Sequence, residues 1–225
     1  MPDLLPFALL GAVFGLDVVS FPQAMISRPI VAATAGGALA GDTSAGLLAG
    51  VVLELMAMET LPVGASRYPE WGTASVAGGA LAASLGIAHA GTLAVAALAA
   101  VLTAWVGGWS MYGLRKLNGA WAARRLPALE AGDRRALAGL QIRGLTADLT
   151  RGALVTVVAL VVWRPVGTWL VARWSLPFAI SRAVLVAVAG AVAWSAVWRL
   201  AHGAPSSRWY LIGGLAMGLA AMVLL

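Results

Sequence analysis

The 225-residue chain has no cysteine and only two histidines, and Asp, Glu, Lys and Arg together make up 11% of it. Without cysteine there is no disulfide framework, no thiolate metal site and no cysteine nucleophile. His89 and His202 fall in separate turns without acidic neighbours, which speaks against a metal site or a phosphorylated histidine. No P-loop, GxSxG or HExxH pattern occurs, so a self-contained ATPase or hydrolase is not indicated and no cofactor is expected. The opening MPDLLPFALLGAV has no basic n-region and no A-x-A-like site followed by a soluble domain. It is expected to be a first membrane segment rather than a cleaved leader, and no soluble domain is expected at either end.

Apolar surface is what the chain has in excess. It is 61% hydrophobic with a mean hydropathy of +0.89, whereas soluble domains carry about a quarter charged residues and about half apolar ones. Several apolar runs approach the roughly 20 residues that cross a bilayer as a helix. The expected fold class is therefore all-α: a polytopic, multi-pass integral membrane protein forming a single membrane domain over residues 1–225. The net charge of +6 does not point to nucleic acid, because eight Lys or Arg gather between Arg115 and Arg151 against Glu130, Asp133 and Asp148. Such clustering is what the positive-inside rule expects of a cytoplasmic loop.

Three regions follow from the pattern. Residues 1–114 hold N-terminal helices, 115–148 a basic amphipathic cytoplasmic linker, and 149–225 the C-terminal helices. The linker's Leu137, Leu140, Leu145 and Leu149 recur at near-helical spacing between arginines, the signature of a helix lying on an anionic membrane face. Within the first region, Pro29–Ala40 and Thr43–Met58 are both too short for a comfortable span. Two consecutive short, Gly-interrupted apolar segments predict discontinuous or re-entrant helices within residues 22–58. Such backbone is tolerated at membrane depth only where protein or a polar cavity satisfies it. The HAG turn at 89–91 lacks basic residues and is expected outside. Trp163, Trp169, Trp174 and Trp209 lie near helix ends, as an aromatic belt does.

The polar residues of the apolar runs are weighed one by one. Glu54 stands among Val51, Val52, Leu53, Leu55 and Met56. A charge at membrane depth costs roughly 2.5–3.5 kcal/mol on insertion scales and usually faces a cavity or a partner. Glutamate also snorkels poorly, so a site-lining role is favoured over an interfacial one. Asp42, followed by Thr43 and Ser44, reads as an N-cap. Arg28 precedes a proline, which pushes it out of helical geometry; it neutralises Asp17 or Glu54, or sits at the interface. Gln23 offers donors and an acceptor to a polyol hydroxyl, or simply marks a helix break. Glu59 and Glu70, in the turn-rich connection 59–72, are expected to be solvated. Tyr68 and Trp71 suit interfacial anchoring better than stacking on a sugar.

The stretch LDVVSFPQAMISRPIVAATAGGALAGDTSAGLLAGVVLELMAMETLPVGAS, residues 16–66, resembles the IIC subunit of the mannose/fructose/sorbose family of the phosphoenolpyruvate-dependent sugar phosphotransferase system. The likeness rests on the spacing of Gln23, Arg28 and Pro29, the Gly41-Asp42 turn, and Gly50-x-x-Leu53-Glu54 followed by Gly64-Ala65. The segment LQIRGLTADLTRGAL after the basic linker is similar to the same family. The resemblance implies a permease of the cytoplasmic membrane that pairs with a IID membrane subunit in an oligomeric complex. Cytoplasmic IIA and IIB subunits then pass phosphate to the incoming sugar, and no phosphoryl-accepting residue is expected in this chain. By the same resemblance Gln23 and Glu54 fall in the sugar-translocation region, and Glu54, Gln23, Asp17 and Arg28 are the candidate sugar-binding residues. The alternative is a non-transporting scaffold or regulatory subunit of a reduced phosphotransferase system. A membrane-embedded enzyme acting on lipids would need paired acidic motifs that the chain lacks.

Overall fold

Among the described residues the long apolar runs become helices, and Gly, Pro and capping residues mark many of their ends. In the computed structural model, residues 3–60, 67–201 and 206–224 are described. They form α1 (Leu5–Asp17), α2 (Pro29–Leu39), α3 (Thr43–Ala57), α4 (Trp71–Leu85), α5 (Thr92–Arg124), α6 (Leu126–Glu130), α7 (Arg134–Ala172), α8 (Phe178–Ala201) and α9 (Ser207–Leu224). His202 and the Gly64-Ala65 pair lie outside the described residues. Helices α5, α7 and α8 are each long and apolar enough to cross a membrane.

The N-terminal third is discontinuous. Helix α2 has 11 residues and α3 has 15, so they rise about 16 and about 22 Å, against a hydrocarbon core of about 30 Å. Their turn is closed by the backbone. Asp42 N–H donates to Gly37 O at 2.9 Å and Gly41 N–H to Ala38 O at 3.1 Å, with Gly41 at φ +98°. This is the paired 6→1 and 5→2 arrangement that ends helices on a left-handed glycine. Asp42 then caps α3, its carboxylate accepting from Ala45 N–H at 2.9 Å, as the sequence predicts.

Phe7 of α1 packs with Leu160 of α7, and Gly15 lies against Gly152. Helices α1 and α7 are therefore antiparallel, and α1 ends where the basic hairpin begins. This side of the molecule is called the linker end below. Small residues let the backbones close up. A Cβ on Gly79 of α4 would lie 2.0 Å from Ala33 O of α2, and one on Gly36 of α2 would lie 2.2 Å from Val76 O. Helix α4 is buried along most of its length and forms the centre of the packing. At the other extreme Trp209, Tyr210 and Met217 of α9 are largely exposed.

The linker differs from a helix resting on the membrane. Helix α5 continues through Lys116 to Arg124, the short α6 turns the chain, and α7 runs unbroken from Arg134 to Ala172. Asp133 caps α7 by accepting from Arg135 N–H at 2.8 Å. No proline interrupts residues 134–164, so the leucines from 137 to 149 ride on the first half of a helix whose second half is apolar.

Candidate functional site

The segment from Val18 to Arg28 joins α1 to α2 at the linker end and holds an unusual backbone. Gln23 and Met25 have φ of 58° and 62°, a left-handed conformation that costs a non-glycine residue about 1–2 kcal/mol. Asp17, at the end of α1 and only 2% exposed, holds this loop in place. Its carboxylate accepts from Ala24 N–H at 2.6 Å, from Ser27 N–H at 2.9 Å and from the Ser27 hydroxyl at 2.8 Å. Gln23 donates its amide to Val19 O at 2.9 Å.

Arg28 precedes α2 without capping it, and the missing cap comes from another helix. Glu54 of α3 accepts the Ile30 N–H at 3.1 Å and forms an ion pair with the Arg28 guanidinium. One carboxylate thereby satisfies an orphan donor at the helix N-terminus, complements the helix dipole and neutralises a cation. Of the two anions the sequence offers to Arg28, Glu54 is the one it meets.

A second irregular segment faces this loop. Tyr68 and Pro69 lie against Gly108 of α5 and Glu70 against Gly107, so close that a Cβ on Gly108 would sit 2.2 Å from Tyr68 O. Glu70 N–H donates to Ala104 O at 2.8 Å. The Tyr68 hydroxyl accepts a hydrogen bond from Arg115, whose guanidinium also lies over the Tyr68 ring. Trp71 donates its indole N–H to the Thr60 hydroxyl at 3.0 Å.

Between the two segments lies a cavity of about 950 Å³. Asp17, Gln23, Ser27 and Arg28 line one side, and Thr60, Tyr68, Trp71 and Arg115 line the other. Three of the four candidate residues thus reach one cavity, while Glu54 stands behind Arg28. Tyr68 and Trp71, expected as interfacial anchors, form part of the wall, and Arg115, counted as a linker charge, lies there too.

Glu70 departs furthest from expectation. It is fully buried rather than solvated. Its carboxylate caps α4 by accepting from Thr73 N–H at 3.1 Å and from the Thr73 hydroxyl, and it lies 3.6 Å from Arg151. Arg151 in turn donates from Nε to Asp148 at 2.8 Å, and its terminal nitrogens reach Gly15 O at 3.3 Å and Ser110 Oγ at 3.4 Å. The Ser20 hydroxyl donates to the other Asp148 oxygen at 2.5 Å. This cluster ties α1, α4, α5 and α7 together beside the cavity. The only signal for it in sequence is a carboxylate and an arginine three residues apart at the start of an apolar run.

Short helices that enter and leave on one side, with irregular backbone around a polar cavity, are the architecture of a membrane carrier of small solutes. The family described as "PTS system sorbose-specific iic component" matches residues 4–191, and the chain belongs to it. The protein is accordingly a sugar permease subunit of a phosphotransferase system, and it works in a complex with other subunits of that system. No curated protein matches the chain. A solved structure described as "Structure of membrane protein" is similar at 17% identity with a TM-score of 0.75, over 98% of this chain and 92% of that one. At that identity the likeness speaks for the fold alone.

Proposed function

We propose that the linker-end cavity is where this subunit holds a hexose-type sugar during translocation. The observation that carries this reading is the convergence of Asp17, Gln23 and Arg28 with Tyr68 and Trp71 on one cavity. Amide and guanidinium groups match sugar hydroxyls, charge-assisted hydrogen bonds give the stronger contacts, and the two aromatic rings offer flat apolar faces. Glu54 contributes through Arg28, fixing where that guanidinium points. The basic hairpin between α5 and α7 faces the cytoplasm, in keeping with the positive-inside rule, and the subunit sits in the cytoplasmic membrane. There it pairs with a IID subunit, and the hairpin receives the soluble IIA and IIB phosphocarriers, which phosphorylate the sugar as it leaves the cavity.

Glu54→Gln tests this reading in cells that carry the partner subunits. The substitution keeps side-chain volume and removes the charge that orients Arg28. Uptake of labelled mannose, fructose or sorbose, whichever the wild type accepts, should lose about ten- to a hundredfold in apparent affinity, the worth of a hydrogen bond to a charged group. The yield of the assembled complex should be unchanged. Normal uptake by a normal complex would remove Glu54 and Arg28 from the site. A wild type that assembles but takes up none of the three sugars would favour a regulatory subunit.

A further inference from the structure

The loop that walls the cavity carries strain and is restrained from outside itself. Asp17 grips its second half through Ala24 and Ser27. The first half, which leads into the left-handed Gln23 and Met25, is anchored to a distant element by the 2.5 Å hydrogen bond from Ser20 to Asp148. Asp148 is 1% exposed, and Arg151 fixes its orientation through its other oxygen at 2.8 Å. Arg151 is itself held by Glu70 of α4 and Gly15 O of α1. The surface hydroxyl of Ser20 is thus fastened to a buried frame of ion pairs and hydrogen bonds.

We infer that Ser20 and Asp148 are positioning residues for sugar recognition, setting the loop conformation that presents Gln23 and Arg28 to the cavity. The inference rests on the cavity being the sugar site. Neither residue touches the sugar. Their hydrogen bond holds a strained backbone in the one arrangement that aligns the contacts, which is how preorganisation raises affinity. Asp148 cannot be tested cleanly, because its loss leaves Arg151 with a rearranged set of buried partners. Ser20 can, since it lies at the surface and Ser20→Ala removes only the hydroxyl.

The assay uses the assembled complex and two readouts. Amide hydrogen exchange over residues 18–28 should quicken about tenfold in Ser20→Ala, with exchange in α4, α5 and α7 and the complex yield kept. In cells, the apparent KM for whichever of mannose, fructose or sorbose the wild type takes up should rise about tenfold, with Vmax within twofold. Ser20→Thr, which keeps the hydroxyl, should restore both. Unchanged exchange in Ser20→Ala, or failure of Ser20→Thr to rescue it, overturns the anchoring role. Faster exchange with an unchanged KM keeps the anchor and overturns its role in sugar recognition, while the cavity as the sugar site stands or falls with Glu54→Gln.

Discussion

Glu59 and Glu70 belong to one connection, eleven residues apart, and come to opposite ends. The Glu59 side chain is 43% exposed and meets Arg199 at 3.0 Å. Glu70 is fully buried, caps a helix and lies 3.6 Å from Arg151. Both lie in a polar, turn-rich connection that reads as solvated. The difference arises because the chain folds back before α4 begins. Tyr68 to Glu70 lie against the glycines of α5, so α4 starts inside the bundle and its capping carboxylate starts there with it. An N-cap has to accept backbone N–H groups wherever the helix happens to begin. At this depth the carboxylate also needs a cation, and Arg151 supplies it.

The comparison breaks most sharply at Arg151. Removing one partner of a buried ion pair typically costs about 3–5 kcal/mol, because the remaining charge is left without compensation. Arg151→Ala leaves both Glu70 and Asp148 buried. We expect little folded protein to be extractable from membranes, scored as the monodisperse fraction on size exclusion. Arg151→Lys should recover only part of it, since a single ammonium cannot reproduce the fork that reaches Asp148, Gly15 and Ser110. A wild-type yield of Arg151→Ala would show that Glu70 and Asp148 are held without it.

Gly108→Ala addresses the fold-back itself. Its Cβ would meet Tyr68 O at 2.2 Å, and the contact is with backbone, so no side chain can swing away. Overpacking of this kind costs about 1–3 kcal/mol. The expected result is a fall in melting temperature with the complex still assembled. If Gly108→Ala melts like the wild type, the Tyr68–Glu70 segment does not press on α5.

Which of these features could be read in the sequence follows from how local they are. The break between α2 and α3 was legible because Gly41, Asp42, Thr43 and Ser44 carry the turn and the cap within four residues. That Glu54 needs a partner was legible from its apolar neighbours, and Arg28 was among the few cations within reach. Its bond to Ile30 N–H was not, because it joins two helices through a backbone group. The buried cluster was the least legible. Asp148 and Arg151 were counted with the basic linker, since charge counting along the chain ignores depth. Their partners Glu70, Ser110, Gly15 and Ser20 come from three separate stretches. The same count gave the linker too much independence, because local charge says nothing about whether α5 and α7 continue through it.

The smallest effect belongs to Glu59 and Arg199. Their separation of 3.0 Å is close to the 2.8 Å between Arg151 and Asp148, so distance alone would rank the two interactions together. Exposure ranks them apart. The Arg199 side chain is 58% exposed, and an ion pair that open to water is worth about 0.2–1 kcal/mol because both charges are solvated when apart. Added salt weakens it further, with a screening length near 8 Å at physiological ionic strength. Arg199→Ala should therefore lower the melting temperature of the purified complex slightly at low salt and not measurably at 0.5 M salt, near the limit where screening removes surface pairs. A salt-independent loss as large as that of Arg151→Ala would mean that exposure in the isolated chain does not describe this pair in the assembled complex. The division between the two glutamates would then have to be drawn by what covers α8 rather than by the fold-back of their shared connection.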